Sequence, residues 1–259
     1  MDFNFIQGEK FKSLNNGINI IYCDTHNVND FFRRIDFNNE FILISHNSDG
    51  KILEGGVEFP NADSNLIPNN LKYWFGQNVC TKHEKIYSLP IGLENSEWFP
   101  HIKKIEKINN KKLEPKNFKN LLYINHNILT NPIERQKPYD IFRDKTWVTL
   151  EYGNNGVNFD TYLDNLYSHK FVLCPEGNGT DTHRTWECLY LNTIPIEKRN
   201  INNSFYDDLP ICFVDEWEEI NEDFLNKEYE RIMKNNFNKE KIDFLYWTKK
   251  INVYVRYIN

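Results

Sequence analysis

Residues 170–196 (KFVLCPEGNGTDTHRTWECLYLNTIPI) constrain the fold more than any other stretch. An apolar run, 171–174, meets a glycine-bearing loop, 175–181. The loop opens into a helical pattern whose first turn carries His183 and Arg184. Glu187 follows three residues after Arg184, and a second apolar run, 193–196, closes the unit. Strand, loop, helix and strand in this order make a parallel crossover unit, with the loop at a strand's carboxyl end. Backbone N–H groups at a helix start have no intrahelical partner, and the helix dipole favours negative charge there. The loop therefore reads as an anion site, Gly177 and Gly179 allowing close backbone approach. Arg184 adds a planar fork suited to phosphate. Glu187 lies on the same helical face, one turn deeper, where a carboxylate suits ribose hydroxyls. Thr182, with Thr180 and Asp181, has the chemistry of a helix cap, and His183 has that of a phosphate or sugar contact.

The same alternation runs through the chain. Strand patterns fall at 18–23, 41–45, 72–78 and 85–90, with a helix at 28–35. A second series has strands at 120–125, 146–150, 171–174, 193–196 and 211–214. Its helices fall at 132–143, 160–168 and 182–191, and two more follow at 221–234 and 239–253. Alternating strands and helices predict an α/β fold with parallel sheets covered on both faces. The lysine-rich stretch 103–120, broken by Pro115, reads as a linker. It divides the chain into an N-terminal lobe, 1–110, and a C-terminal lobe, 111–240. A last helix, 241–259, is expected to return to the first lobe. A basic edge at 103–119 also suits contact with an anionic membrane surface. Arg135, where the first strand of the second half enters its helix, is a candidate second phosphate contact.

The 259 residues are 40% hydrophobic with a net charge of -6, which supplies a core and argues against a nucleic-acid surface. The five cysteines are scattered without metal-ligand spacing, as expected of reduced thiols in the cytoplasm. The N-terminus has no apolar signal core. Most aromatics, Trp74, Phe75 and Trp247 among them, are expected in the core, and Trp98 is a candidate for stacking on a sugar.

The 171–197 segment resembles the donor-site signature of exostosin-like glycosyltransferases. The matching residues are Pro175, Gly177, Arg184, Glu187 and Ile194–Pro195. Weaker similarities run through FILISHNSD (41–49), YWFGQNV (73–79), LPIGLEN (89–95), NPIER (131–135) and YWTKKI (246–251). Asn192–Thr193 stand where the family has Gly-Cys. The resemblance implies a GT-B architecture of two Rossmann-like, doubly wound lobes facing a cleft, with acceptor on the first lobe and nucleotide sugar on the second. It implies a hexosyl- or pentosyltransferase that inverts the anomeric carbon without a metal cofactor, with a UDP-linked donor and a glycan or lipid-linked acceptor. The chain agrees in lacking any Asp-x-Asp to hold a divalent ion. Inversion requires a base on the acceptor lobe. Asp49 and Glu94, each just past a strand, and His46 are the candidates. A nucleotide-sugar epimerase or hydrolase, or a non-catalytic glycan-binding module, are the rival readings.

Overall fold

The computed structural model describes residues 4–36, 39–98, 100–152 and 157–258. Two parallel sheets form two Rossmann-like lobes. The first sheet contains β1 (Ile20–Asp24), β2 (Phe41–His46), β5 (Leu71–Gly76) and β6 (Ile86–Ser88), in the order β1-β2-β5-β6. A short parallel pair, β3 (Ile52–Leu53) and β4 (Ala62–Asp63), lies between β2 and β5 in the chain. The second sheet contains β7 (Asn120–His126), β8 (Val148–Tyr152), β9 (His169–Leu173), β10 (Ile194–Lys198) and β11 (Cys212–Val214), in the order β11-β10-β9-β7-β8.

The two orders have different consequences. The first sheet advances in chain order from one edge to the other. In the second, β7 lies between β8 and β9, so the direction of winding reverses there. Connections leaving β7 and β9 diverge to opposite faces and open a crevice beyond their carboxyl ends, where open α/β sheets take ligands. The glycine loop follows β9, and α4 (Pro132–Phe142), which carries Arg135, follows β7. This strand order therefore places both beside that crevice.

The remaining helices are α1 (Gly8–Lys12), α2 (Val28–Arg34), α3 (Lys104–Lys111), α5 (Phe159–Tyr167), α6 (His183–Tyr190), α7 (Glu222–Lys234) and α8 (Phe244–Val255). One apolar cluster crosses from lobe to lobe. It joins Ile42, Ile44 and Phe75 of the first sheet to Tyr123 and Val172 of the second, through Trp186, Leu189 and Tyr190 of α6. The predicted C-terminal helix divides in two: a short 3₁₀ turn, Lys239–Ile242, precedes α8, and Asp243 caps α8 by accepting from the Leu245 amide. Tyr254 of α8 lies edge-on to Tyr73 of the first sheet, with ring centroids 4.4 Å apart.

The stretch read as a linker contains packed structure. Ile108 of α3 is buried. Lys107 pairs with Asp160 on α5, and Lys111 with Glu114 and Asp164. Lys103 faces Glu106, and Lys116 donates to the carbonyls of Leu191 and Asn192. Much of the basic charge expected to meet a membrane is thus balanced within the protein. Among the described residues, no helix is long and apolar enough to cross a membrane.

Candidate active site

The seven residues predicted from the donor-site pattern, Arg135, Gly177, Gly179, Thr182, His183, Arg184 and Glu187, line one cavity of about 450 Å³. Asp49 and Glu94 line it from the first lobe. A second cavity of about 200 Å³ adjoins it and is lined by His46, Asn47, Gln77, Asn95 and Trp98, among others. Asp49, Ile91 and His183 belong to the walls of both.

The Arg135 side chain is held by two backbone carbonyls. Its Nε donates to the carbonyl of Glu176 at 2.8 Å and Nη1 to that of Asn127 at 3.0 Å, while the cap residue Asn131 donates to the carbonyl of Gly177. Nη2 has no hydrogen-bond partner among the described residues. A Cβ on residue 177 would lie 2.8 Å from Nη2, which accounts for the glycine without any unusual backbone angle. Gly179 is explained in the same way by Asn78, whose amide nitrogen would meet a Cβ at 2.5 Å. Asn78 also accepts from the Asp181 amide at 2.9 Å, so the first lobe clamps the glycine loop.

Arg184 donates from Nε to the Tyr162 hydroxyl at 3.2 Å, and its guanidinium lies 5.6 Å from that ring's centroid. Among the described residues, neither Arg184 nor Arg135 has a carboxylate partner. Burial opposes the Arg184 charge, but Tyr162, Cys174 and Glu187 outweigh it and hold that guanidinium above its ordinary range, and Arg184 in turn weighs on Arg135. Burial, and then the Arg184 charge, pushes Arg135 down to about 10, still protonated at neutral pH. His126, at the end of β7, is pushed down to about 3 by burial and then by Arg184, so it adds no third charge. Thr182 stands at the N-cap position of α6 but makes no side-chain cap; its hydroxyl turns to Thr185. Two partly unpaired guanidinium groups therefore share a cavity with an uncapped helix N-terminus.

Lys104 differs sharply. Its ammonium lies 2.7 Å from Glu187 and 2.9 Å from Glu94, bridging the lobes. The other oxygen of Glu187 accepts from Tyr162 at 2.7 Å. Burial opposes ionisation of Glu187, but the Lys104 charge outweighs it and holds the carboxyl below its ordinary range. Glu187 thus has an internal partner on each oxygen, and it orients Tyr162, which orients Arg184.

The base candidates fall in distinct settings. His46 is 1% exposed and both of its nitrogens are engaged: Nε2 with the Pro90 carbonyl, and Nδ1 accepting from the Asn47 amide. Burial pushes it down to about 4. Asp49 is exposed and accepts from Asn178 at 3.1 Å. Glu94 is paired with Lys104. His183 bonds through Nδ1 to the Gly92 carbonyl at 2.7 Å, across the lobes.

Lys104, Tyr162, Phe159 and Asn178 are lining residues that sequence reasoning missed. Phe159, Tyr162, Leu163 and Leu166 do form an apolar face at helical spacing, but that pattern reads as core.

No family model matches the chain, and no curated protein does, so the exostosin-like resemblance is not confirmed. Among solved structures, an α1,3-fucosyltransferase with GDP-fucose is 14% identical over 85% of this chain and 78% of its own, at a TM-score of 0.44. A second α1,3-fucosyltransferase structure is 17% identical over 78% of this chain and 71% of its own, at a TM-score of 0.44. A likeness this remote carries no argument about the site.

Proposed function

We propose that the protein is a glycosyltransferase. The larger cavity takes a nucleotide-diphosphate sugar and the smaller one takes a carbohydrate acceptor. The observation that carries this reading is the pair Arg135 and Arg184, which face one cavity beside the start of α6 with no carboxylate partner among the described residues. Two half-buried cations side by side are costly unless a ligand supplies the anion. A diphosphate does so. The same groups stabilise the negative charge that builds on the departing nucleoside diphosphate, the task a divalent ion performs in metal-dependent enzymes.

The smaller cavity supports a neutral acceptor. Asn47, Gln77 and Asn95 offer amides, and Trp98, 49% exposed, offers a face for a sugar ring. A glycan or lipid-linked oligosaccharide, transfer with inversion, independence from metal and a uridine-linked donor complete the proposal. Calorimetry with UDP and GDP, followed by product analysis with UDP- and GDP-sugars, oligosaccharide acceptors and EDTA, tests it. Transfer that survives EDTA is expected. Sugar release at the same rate with and without acceptor indicates a hydrolase, and absence of nucleotide binding indicates a glycan-binding module.

A further inference from the structure

His183 occupies the one stretch of wall where a donor and an acceptor would meet. Among the described residues, only Asp49, Ile91 and His183 line both cavities, and Ile91 has no proton chemistry. Asp49 sits on an exposed loop, with one oxygen bonded to Asn178. His183 is the first residue of α6, and its ring is anchored on the Gly92 carbonyl. A carbonyl only accepts, so Nδ1 carries the proton in that bond and neutral imidazole keeps a lone pair on Nε2. Nε2 has no hydrogen-bond partner among the described residues, unlike either nitrogen of His46. The two histidines show the contrast plainly: one is fully engaged in structure, and the other presents a free acceptor at the junction.

We propose that His183 Nε2 is the general base of the transfer, in place of the first-lobe carboxylates; the assignment rests on the two-cavity reading above. The acceptor oxygen forms a bond to the anomeric carbon as its proton passes to Nε2. The bond from that carbon to the diphosphate oxygen breaks, and its electron pair leaves on the nucleoside diphosphate beside Arg135 and Arg184. The resulting imidazolium keeps its Nδ1 bond to Gly92 and loses the added proton to water after release.

The surroundings suit a base that is free at neutral pH. Burial lowers the affinity of His183 for a proton, and the Lys104 charge on α3 acts in the same direction. The Gly92 bond raises it, as do Glu94 from the loop after β6 and Glu187 on α6 itself. His46 on β2 is neutral and adds no charge. The net shift is downward, so the base form already prevails within the ordinary histidine range.

The test uses the full chain with a donor and acceptor pair that supports transfer. His183→Gln is expected to bind UDP or GDP within about threefold of wild type but to lose transfer by roughly 10²–10⁴-fold. Wild-type kcat rises with pH through an acid limb and then levels, and the variant lacks that limb. His183→Ala is expected to regain part of the rate with added imidazole, a response that a structural role would not give. Asp49→Asn is expected to keep the acid limb and to gain nothing from imidazole. Full transfer by His183→Gln in a protein whose wild type binds nucleotide and transfers overturns the base assignment alone, and so does loss of the acid limb in Asp49→Asn. A wild type that binds no nucleoside diphosphate overturns the cavity reading beneath it.

Discussion

The two adjoining cavities differ in how they treat charge. The larger holds two arginines with no carboxylate partner among the described residues, whereas the smaller is walled mainly by amides, neutral histidines and an indole, with Asp49 at the shared edge. A third cation, Lys104, borders the larger cavity but is held by two carboxylates. Cations held by carboxylates stabilise the protein itself, and cations without them are available to a ligand. The comparison thus predicts which substitutions damage folding, which damage donor binding and which touch only the acceptor.

Removing a paired charge has the largest effect on stability. Glu187→Ala strips Lys104 of its buried partner and releases Tyr162. A loss of about 3 kcal/mol is expected, read as a fall in melting temperature on the order of 10 °C. An unchanged melting temperature breaks the distinction between the two kinds of cation. Gly177→Ala acts on binding. Its Cβ would sit 2.8 Å from Arg135 Nη2 and displace the guanidinium. Nucleotide affinity is expected to fall about 10-fold, or roughly 1.4 kcal/mol, with the melting temperature nearly unchanged. Trp98→Ala should have the smallest effect. The acceptor KM rises by several-fold, in line with about 1 kcal/mol for a stacking contact, while calorimetry shows the nucleotide affinity preserved. A nucleotide affinity that drops in this variant would mean that the cavities have been assigned the wrong way round.

The legible parts of this chain are those whose evidence is close in sequence. The strand, loop and helix of 170–196 announce an anion site because Gly177, Arg184 and the start of α6 stand within a few residues. The crossover pattern likewise announces two parallel sheets. What sequence hides depends on distant partners. Lys104 meets Glu187 across 83 positions, and its lysine-rich surroundings look like a solvated linker. His183 meets Gly92 across 91 positions, so neither its fixed tautomer nor its place between cavities is visible in THRTW. His46 looks like a catalytic candidate in SHNSD until its two hydrogen bonds are seen. Strand order is also hidden: the reversal that opens the crevice belongs to the second sheet, whereas the first runs in sequential order. Gly179 reads as a ligand-facing glycine, yet it makes room for Asn78 of the other lobe.

The central claim is that Arg184 and Arg135 await a diphosphate, and calorimetric titration of wild type and Arg184→Ala with UDP and GDP tests it most directly. Arg184 contributes two terminal amines, each able to form a charge-assisted hydrogen bond. Wild type is expected to bind at least one of the two nucleotides, and Arg184→Ala to bind it about 100-fold more weakly, a loss of roughly 2.7 kcal/mol, with an unchanged melting temperature. Equal affinity in the two proteins, or no binding by wild type, would contradict the account.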